Sequence, residues 1–263
     1  MWQKVLFHHD FSDEAAARLA WAKKALVAEG GSILLAHVVN PVIGGSTPEK
    51  VALAQEELDC LAATAAPLTV ETAVATGDPL EELARIAREG QCTSALVLVD
   101  DSDEASLIAP VLALPQLIFL KGTPNREEGL FDHVSAALDL APERTDSLLA
   151  ELKKHLSGRA RTLELIHSVP LENPESASEL MLAADQALTE LREEMAKTFP
   201  FVRSTLLTGN PEETLPAHLS RSEASLLVLG LSRHGELWEL FLGGTAQRLL
   251  GELENRPLLL LPL

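Results

Sequence analysis

Cysteine is nearly absent from this chain. Its 263 residues hold only Cys60 and Cys92, too few and too isolated for a disulfide framework or a zinc ligand set, which fits a reducing cytoplasm. Also missing is any apolar run near the ~18 residues a membrane span requires. The start, MWQKVLFHHDFSDE, turns polar where a signal peptide would stay apolar. A soluble, cytoplasmic protein with no membrane partner is therefore expected. Basic residues are scarce, 21 against 39 acidic ones for a net charge of -18, so the surface field repels nucleic acid and argues against a nucleic-acid partner. Neither standard phosphate loop is present. The first strand of each half is followed by DFSDE or DLAPE rather than G-x-G-x-x-G, and G-x-x-x-x-G-K-[ST] occurs nowhere.

What is present is written twice. KVLFHHD from Lys4 has a counterpart in HVSAALD from His133, and ILLAHVVNP from Ile33 in LELIHSVP from Leu163, which sets His37 opposite His167. TGDPLEELA from Thr76 pairs with TGNPEETLP from Thr208, and ALVLVD from Ala95 with SLLVLG from Ser225; the offset stays between 129 and 132 residues. It then jumps to 142, because PQLIFL from Pro115 aligns with RPLLLLPL, whose proline is Pro257. The first half thus lacks about a dozen residues between its fourth and fifth strands, where the second half reads GLSRHGELWELFLGGTAQ.

Each half reads as five strands alternating with helices. Apolar residues at helical spacing (Leu19, Ala22, Leu26; Leu180, Ala184, Leu188, Leu191, Met195) mark helices, and the unbroken runs LVLV and LLVL mark strands buried on both sides. The expected class is α/β: two tandem repeats of a five-stranded parallel open sheet with helices on both faces. The expected boundaries are 1–122 for a first domain without a glycine loop, 123–131 for a turn-rich, charged linker, and 132–263 for a second domain with one.

Ligands of open parallel sheets bind beyond the carboxyl ends of the strands, where Asp139, Val169, Gly209 and Gly230 are expected to converge. After Gly230 come Arg233, His234, Gly235, Gly243, Gly244 and Thr245, the last three opening a helical pattern. Glycine backbone at a helix N-terminus holds phosphate well, with Thr245 as a hydroxyl donor and Arg233 and His234 as positive charge. Plain turns and caps account for the same glycines. His37 and His167 read as structural histidines before acid-base catalysts. His8 and His9 are adjacent on a strand, so a single metal would rarely meet both. Asp10 and Asp139 read equally as helix caps, and Asp100, Asp101, Asp103 and Glu104 as a solvated turn before a cation site.

A strand ending in Asp, a strand ending in H-V-V or H-S-V, T-G-x-P, then L-V-L-G with spaced glycines and G-G-T-A-x-R together resemble the universal stress protein family, here as a tandem of two domains over nearly the whole chain. The resemblance implies a Rossmann-like, adenine nucleotide alpha hydrolase-like fold and a stress-response protein binding ATP or another adenine nucleotide, with or without Mg, in its second domain. Asp139 and Val169 would hold adenosine; Gly230, Gly235, Gly243, Gly244 and Thr245 would line the phosphates. Gly230 and Gly235 are separated by four residues and Gly235 and Gly243 by seven, against two and nine in the family pattern. The first domain, whose loop is missing, is expected to bind none despite Asp10 and Gly77. The resemblance further implies an intramolecular pseudo-dimer joined through the last strands, with a homodimer and an unidentified protein partner left open. No base, nucleophile or metal cluster is evident, so efficient catalysis is not expected; slow ATP hydrolysis and a nucleotide-free scaffold are the alternatives.

Overall fold

Residues 2–27, 30–44, 48–100, 108, 111–121, 129–170, 174–231 and 256–263 are described by a computed structural model. The chain divides into two compact units, Met1–Val99 with Leu107–Lys121, and Asp100–Ser106 with Gly122–Leu263. The first contains β1 (Lys4–His8), β2 (Ser32–Val39), β3 (Thr69–Thr76), β4 (Ser94–Val99) and β5 (Gln116–Leu120); the second contains β6 (His133–Ala137), β7 (Thr162–Val169), β8 (Phe201–Thr208), β9 (Leu226–Leu231) and β10 (Leu258–Pro262). The order across the first unit is β3-β2-β1-β4-β5, and across the second β10-β9-β6-β7-β8. All these pairings within each unit are parallel. Each unit is thus an open parallel α/β sheet of Rossmann type, and the two are repeats of one plan.

Apart from Ser94, the strands β4 and β9 carry no polar side chain because both faces are covered: all of Ser94–Val99 and all of Leu226–Gly230 are buried. The outer strands β3 and β8 are only partly covered. Helices join the strands where local chemistry starts them. Ser12 caps Asp13–Trp21, its Oγ accepting from the Ala15 N–H. Asp78 caps Pro79–Glu89 and Asn210 caps Pro211–Leu219, each with proline in the first turn. The repeated T-G-x-P is therefore a strand end, a glycine bend, a cap and a helix start. At Gly209 the bend takes φ 123°, a region that favours glycine.

Two expectations need correction. Leu180 sits on the helix Pro174–Met195 but is half exposed, while Ala184, Leu188 and Met195 are buried; that helix turns its buried stripe inward only further along. Neither Asp10 nor Asp139 is the helix cap, since those positions belong to Ser12 and Ala141. Each carboxylate accepts instead from the backbone N–H two residues on.

Candidate functional site

In the second unit the chain runs from β6 outward to β7 and β8, then returns to β9 on the other side of β6. The crevice of such a sheet opens at this reversal, beyond the carboxyl ends of β6 and β9. Register pairs Ala137 with Leu229, which puts Gly230 level with the start of the Asp139 turn.

That turn is tightly built. The Leu138 N–H donates to Ile166 O at 2.8 Å, extending β6 by one residue. His167 Nδ1 lies 2.8 Å from Leu138 O; a carbonyl only accepts, so Nδ1 carries the proton. Leu140 then takes φ 58°, a left-handed conformation costly for leucine. The Ala141 N–H donates to Asp139 Oδ1 at 3.0 Å, and Arg144 Nε donates to Asp139 Oδ2. The Asp139 side chain is only 9 % exposed.

Beside the turn, Val169 O accepts from the Gly209 N–H at 2.9 Å. Ser168 Oγ donates to Gly209 O at 2.8 Å and meets Thr214 Oγ1 at 2.7 Å. A Cβ on Gly209 would come within 3.0 Å of Thr214 Cγ2. Gly230 is buried, and a Cβ there would meet Leu263 Cδ1 at 2.5 Å, so Leu263 fills the space that the glycine leaves. The strands thus bring Asp139, Val169, Gly209 and Gly230 to one end of the sheet. Arg233, His234, Gly235, Gly243, Gly244 and Thr245 lie outside the described residues, as do Asp101, Asp103 and Glu104.

The first unit repeats the backbone and histidine contacts of this turn. His9 N–H donates to Ala36 O at 2.8 Å, His37 Nδ1 lies 2.8 Å from His9 O, and Phe11 takes φ 63°. The Ser12 N–H and Oγ both donate to Asp10 Oδ1, at 3.0 and 2.6 Å. His37 and His167 hold the same carbonyl in both halves, which is the structural role. The difference is at Asp10 Oδ2, where Lys121 Nζ stands at 2.7 Å. Burial raises the Asp10 carboxyl, but bonds from Lys121 and Ser12 outweigh it and hold the group well below the usual carboxylate range.

Histidines crowd this end of the first sheet. His8 and His37 stack with ring centroids 6.1 Å apart, and Phe11 packs on His37 at 4.5 Å. Burial, then the neighbouring His37, push His8 down to about 4. His9 Nδ1 accepts from the Phe11 N–H at 3.0 Å, which leaves its buried Nε2 without a partner; burial lowers this group too. Among the described residues no group of three or more His, Cys, Asp or Glu side chains could hold a metal ion.

Sequence reasoning missed Lys121, Arg144 and the two left-handed residues. No periodic signal marks the first pair, and nothing in phenylalanine or leucine favours positive φ.

Against known proteins, the sequence model of the universal stress protein family matches residues 1–108 and again residues 131–260. No curated protein matches the chain. Among solved structures it is similar to a universal stress protein from Archaeoglobus fulgidus DSM 4304, at 18 % identity and TM-score 0.73, covering 98 % of this chain and 96 % of that one. A functionally unknown protein from Pseudomonas aeruginosa PAO1 matches at 18 % identity and TM-score 0.67, covering 99 % and 92 %. The cytoplasmic domain of a prokaryotic cation chloride cotransporter matches at 16 % identity and TM-score 0.54, covering 99 % and 95 %. At such identities these structures speak for the fold. No helix among the described residues is long and apolar enough to cross a membrane.

Proposed function

The chain belongs to the universal stress protein family, and from that premise we propose that its second half binds an adenine nucleotide, ATP in the first instance, as a regulatory ligand. Family membership supports a role in the stress response. The observation that carries the nucleotide reading is the Asp139 turn: an enclosed carboxylate, followed by a left-handed leucine, at the reversal point of a parallel sheet. Strained backbone of this kind concentrates at ligand sites. Asp139 and Val169 would face adenosine. The sequence from Gly230 to Thr245 supplies the glycines, the hydroxyl and the Arg233–His234 pair suited to phosphates. Magnesium would arrive with the phosphates.

The first half has the equivalent turn at Asp10 and Phe11 but lacks its surroundings. Its aspartate is held by Lys121, the sequence counterpart of Gly230 is Asp100, and the glycine segment is missing. One nucleotide per chain is the expected stoichiometry. Mass spectrometry of small molecules released from freshly purified, denatured protein should find an adenine nucleotide, and calorimetric titration with ATP, with and without magnesium, should give one site. If ATP fails to bind even at millimolar concentration, the second reading takes over: a nucleotide-free scaffold acting through protein partners. Two observations favour it, Arg144 on Asp139 and Leu263 in the space beside Gly230.

A further inference from the structure

The Asp10 turn, Val39 and Gly77 mark the carboxyl end of the first unit's sheet. At the opposite end, where the chain enters β2 and β3, lies a cavity of about 600 Å³, within the ~300–1,000 Å³ range of small-molecule sites. Much of its wall is apolar, with Val27, Ala65, Pro67 and Leu68 among the lining residues. Its charge comes from Lys23 and Lys24.

Three features set the cavity apart from an ordinary surface dent. First, among the described residues no carboxylate lines it, although acidic residues outnumber basic ones 39 to 21 in this chain. Second, both lysines stand on a π turn, Ala22–Leu26, closed by the Val27 N–H donating to Ala22 O at 3.1 Å. Such turns are rare and recur at functional sites; here both lysines of the turn line one cavity, Lys23 half-buried and Lys24 exposed. Third, among the described residues no ion pair engages either lysine. Burial lowers the half-buried Lys23 ammonium, and no carboxylate among the described residues restores it. A partly desolvated cation without a counter-ion gains most from a ligand that brings one.

We propose that this cavity binds a small amphipathic anion, a carboxylate or phosphate monoester on an apolar chain. The head would sit on Lys23 and Lys24 and the chain against Val27, Ala65 and Leu68. The site stands apart from the nucleotide reading, on another unit and at the amino ends of the strands.

Calorimetric titration of the full chain with octanoate and with octyl phosphate tests the proposal, with octyltrimethylammonium and inorganic phosphate as probes of charge and of the head alone. At least one of the two anions should bind once per chain, and which of them binds identifies the head. The cation should not bind, and inorganic phosphate should bind more weakly than octyl phosphate. The double variant K23Q/K24Q should lose about tenfold or more in affinity, and Ala20→Trp, which sets an indole at the cavity wall, should abolish binding while far-ultraviolet circular dichroism and cooperative melting stay native-like. Absence of saturable heat from both anions overturns the proposal. So does binding of the cation as tightly as the anions, or affinity unmoved by K23Q/K24Q. If Ala20→Trp does not fold, the double lysine variant alone decides.

Discussion

Lys121 Nζ stands 2.7 Å from Asp10 Oδ2, placing a cation from the end of β5 on the carboxylate that follows β1. In the second unit the equivalent carboxylate, Asp139, is met by Arg144 from its own following helix. The same turn is therefore neutralised in two ways, across the sheet in one half and along the chain in the other.

The first prediction concerns that pair. The folded-state pKa of Asp10 is depressed, so its contribution to stability is complete above the unfolded carboxylate value near 4 and is lost as pH falls below it. Lys121→Met should destabilise the protein at pH 7 by about 1 kcal/mol or less, since both groups are partly exposed. The gap between variant and wild type should shrink as the solution is acidified. Urea denaturation at neutral and acidic pH measures both.

A second prediction tests the phosphate segment. Gly244→Val puts a side chain where backbone would approach phosphate, while Thr245→Ala removes one hydroxyl contact worth about 0.5–1.5 kcal/mol net. The valine variant should lose more ATP affinity by calorimetry. Equal, unchanged affinities in two folded variants would return these glycines to turns and caps.

Glu164 supports the third. It is buried on β7 and accepts from Thr205 Oγ1 at 2.7 Å, Ser135 Oγ at 2.9 Å and Arg203 Nη2 at 3.2 Å, with His218 Nε2 also at 3.2 Å. Burial raises its pKa, but these partners more than compensate and the net shift is downward. Glu164→Ala leaves the buried Ser135 hydroxyl without its acceptor, while the half-exposed Arg203 returns to water, and should cost about 1–3 kcal/mol; Glu164→Gln keeps the shape and should cost less. Both penalties should diminish below the ordinary glutamate range, because the folded pKa is the depressed one. Chemical denaturation as a function of pH reads this directly.

The repeat and its strands were legible because each signal is local. LVLV and LLVL contain nothing that water could hold, so they run through the centre of a sheet. T-G-x-P repeats because glycine, cap and proline each do one job within four residues. Charged partners meeting across the fold leave no such trace: Asp10 with Lys121, or Glu164 with Arg203 and His218, join residues far apart in sequence. Glu164 even replaces an apolar residue, since its counterpart Leu34 pairs with Leu6. Of the candidate site, the strand-end residues Asp139, Val169, Gly209 and Gly230 were readable from position alone. What holds Asp139 was not.

Gly230 yields the fourth prediction, because two explanations for its missing side chain can be separated. Gly230→Ala forces Leu263 aside, and Leu263→Ala should restore the lost stability if room for that leucine is all the glycine provides. ATP affinity is the discriminating readout. If Gly230 also lines the phosphates, affinity should fall in Gly230→Ala and stay low in the double variant.

The fifth prediction follows from His8, which burial and the adjacent His37 push down to about 4. An unfolded histidine takes up a proton near pH 6.5, whereas the folded one resists until about 4. Between those values the unfolded state binds more protons, so stability must fall as pH drops through that window. Asp10 opposes the shift by favouring the charged ring, while Lys121 and His9 add to it. Removing the ring should therefore flatten the profile: His8→Gln should lose less stability than wild type between pH 6.5 and 4, whatever it costs at pH 7. His37→Gln should act in the same direction on His8 by removing the neighbouring ring that lowers it, though it also deprives the His9 carbonyl of its donor and should cost stability at every pH. Denaturation free energies for the three proteins at half-unit pH steps distinguish these outcomes, and parallel curves for wild type and His8→Gln would show that His8 is not the group that titrates.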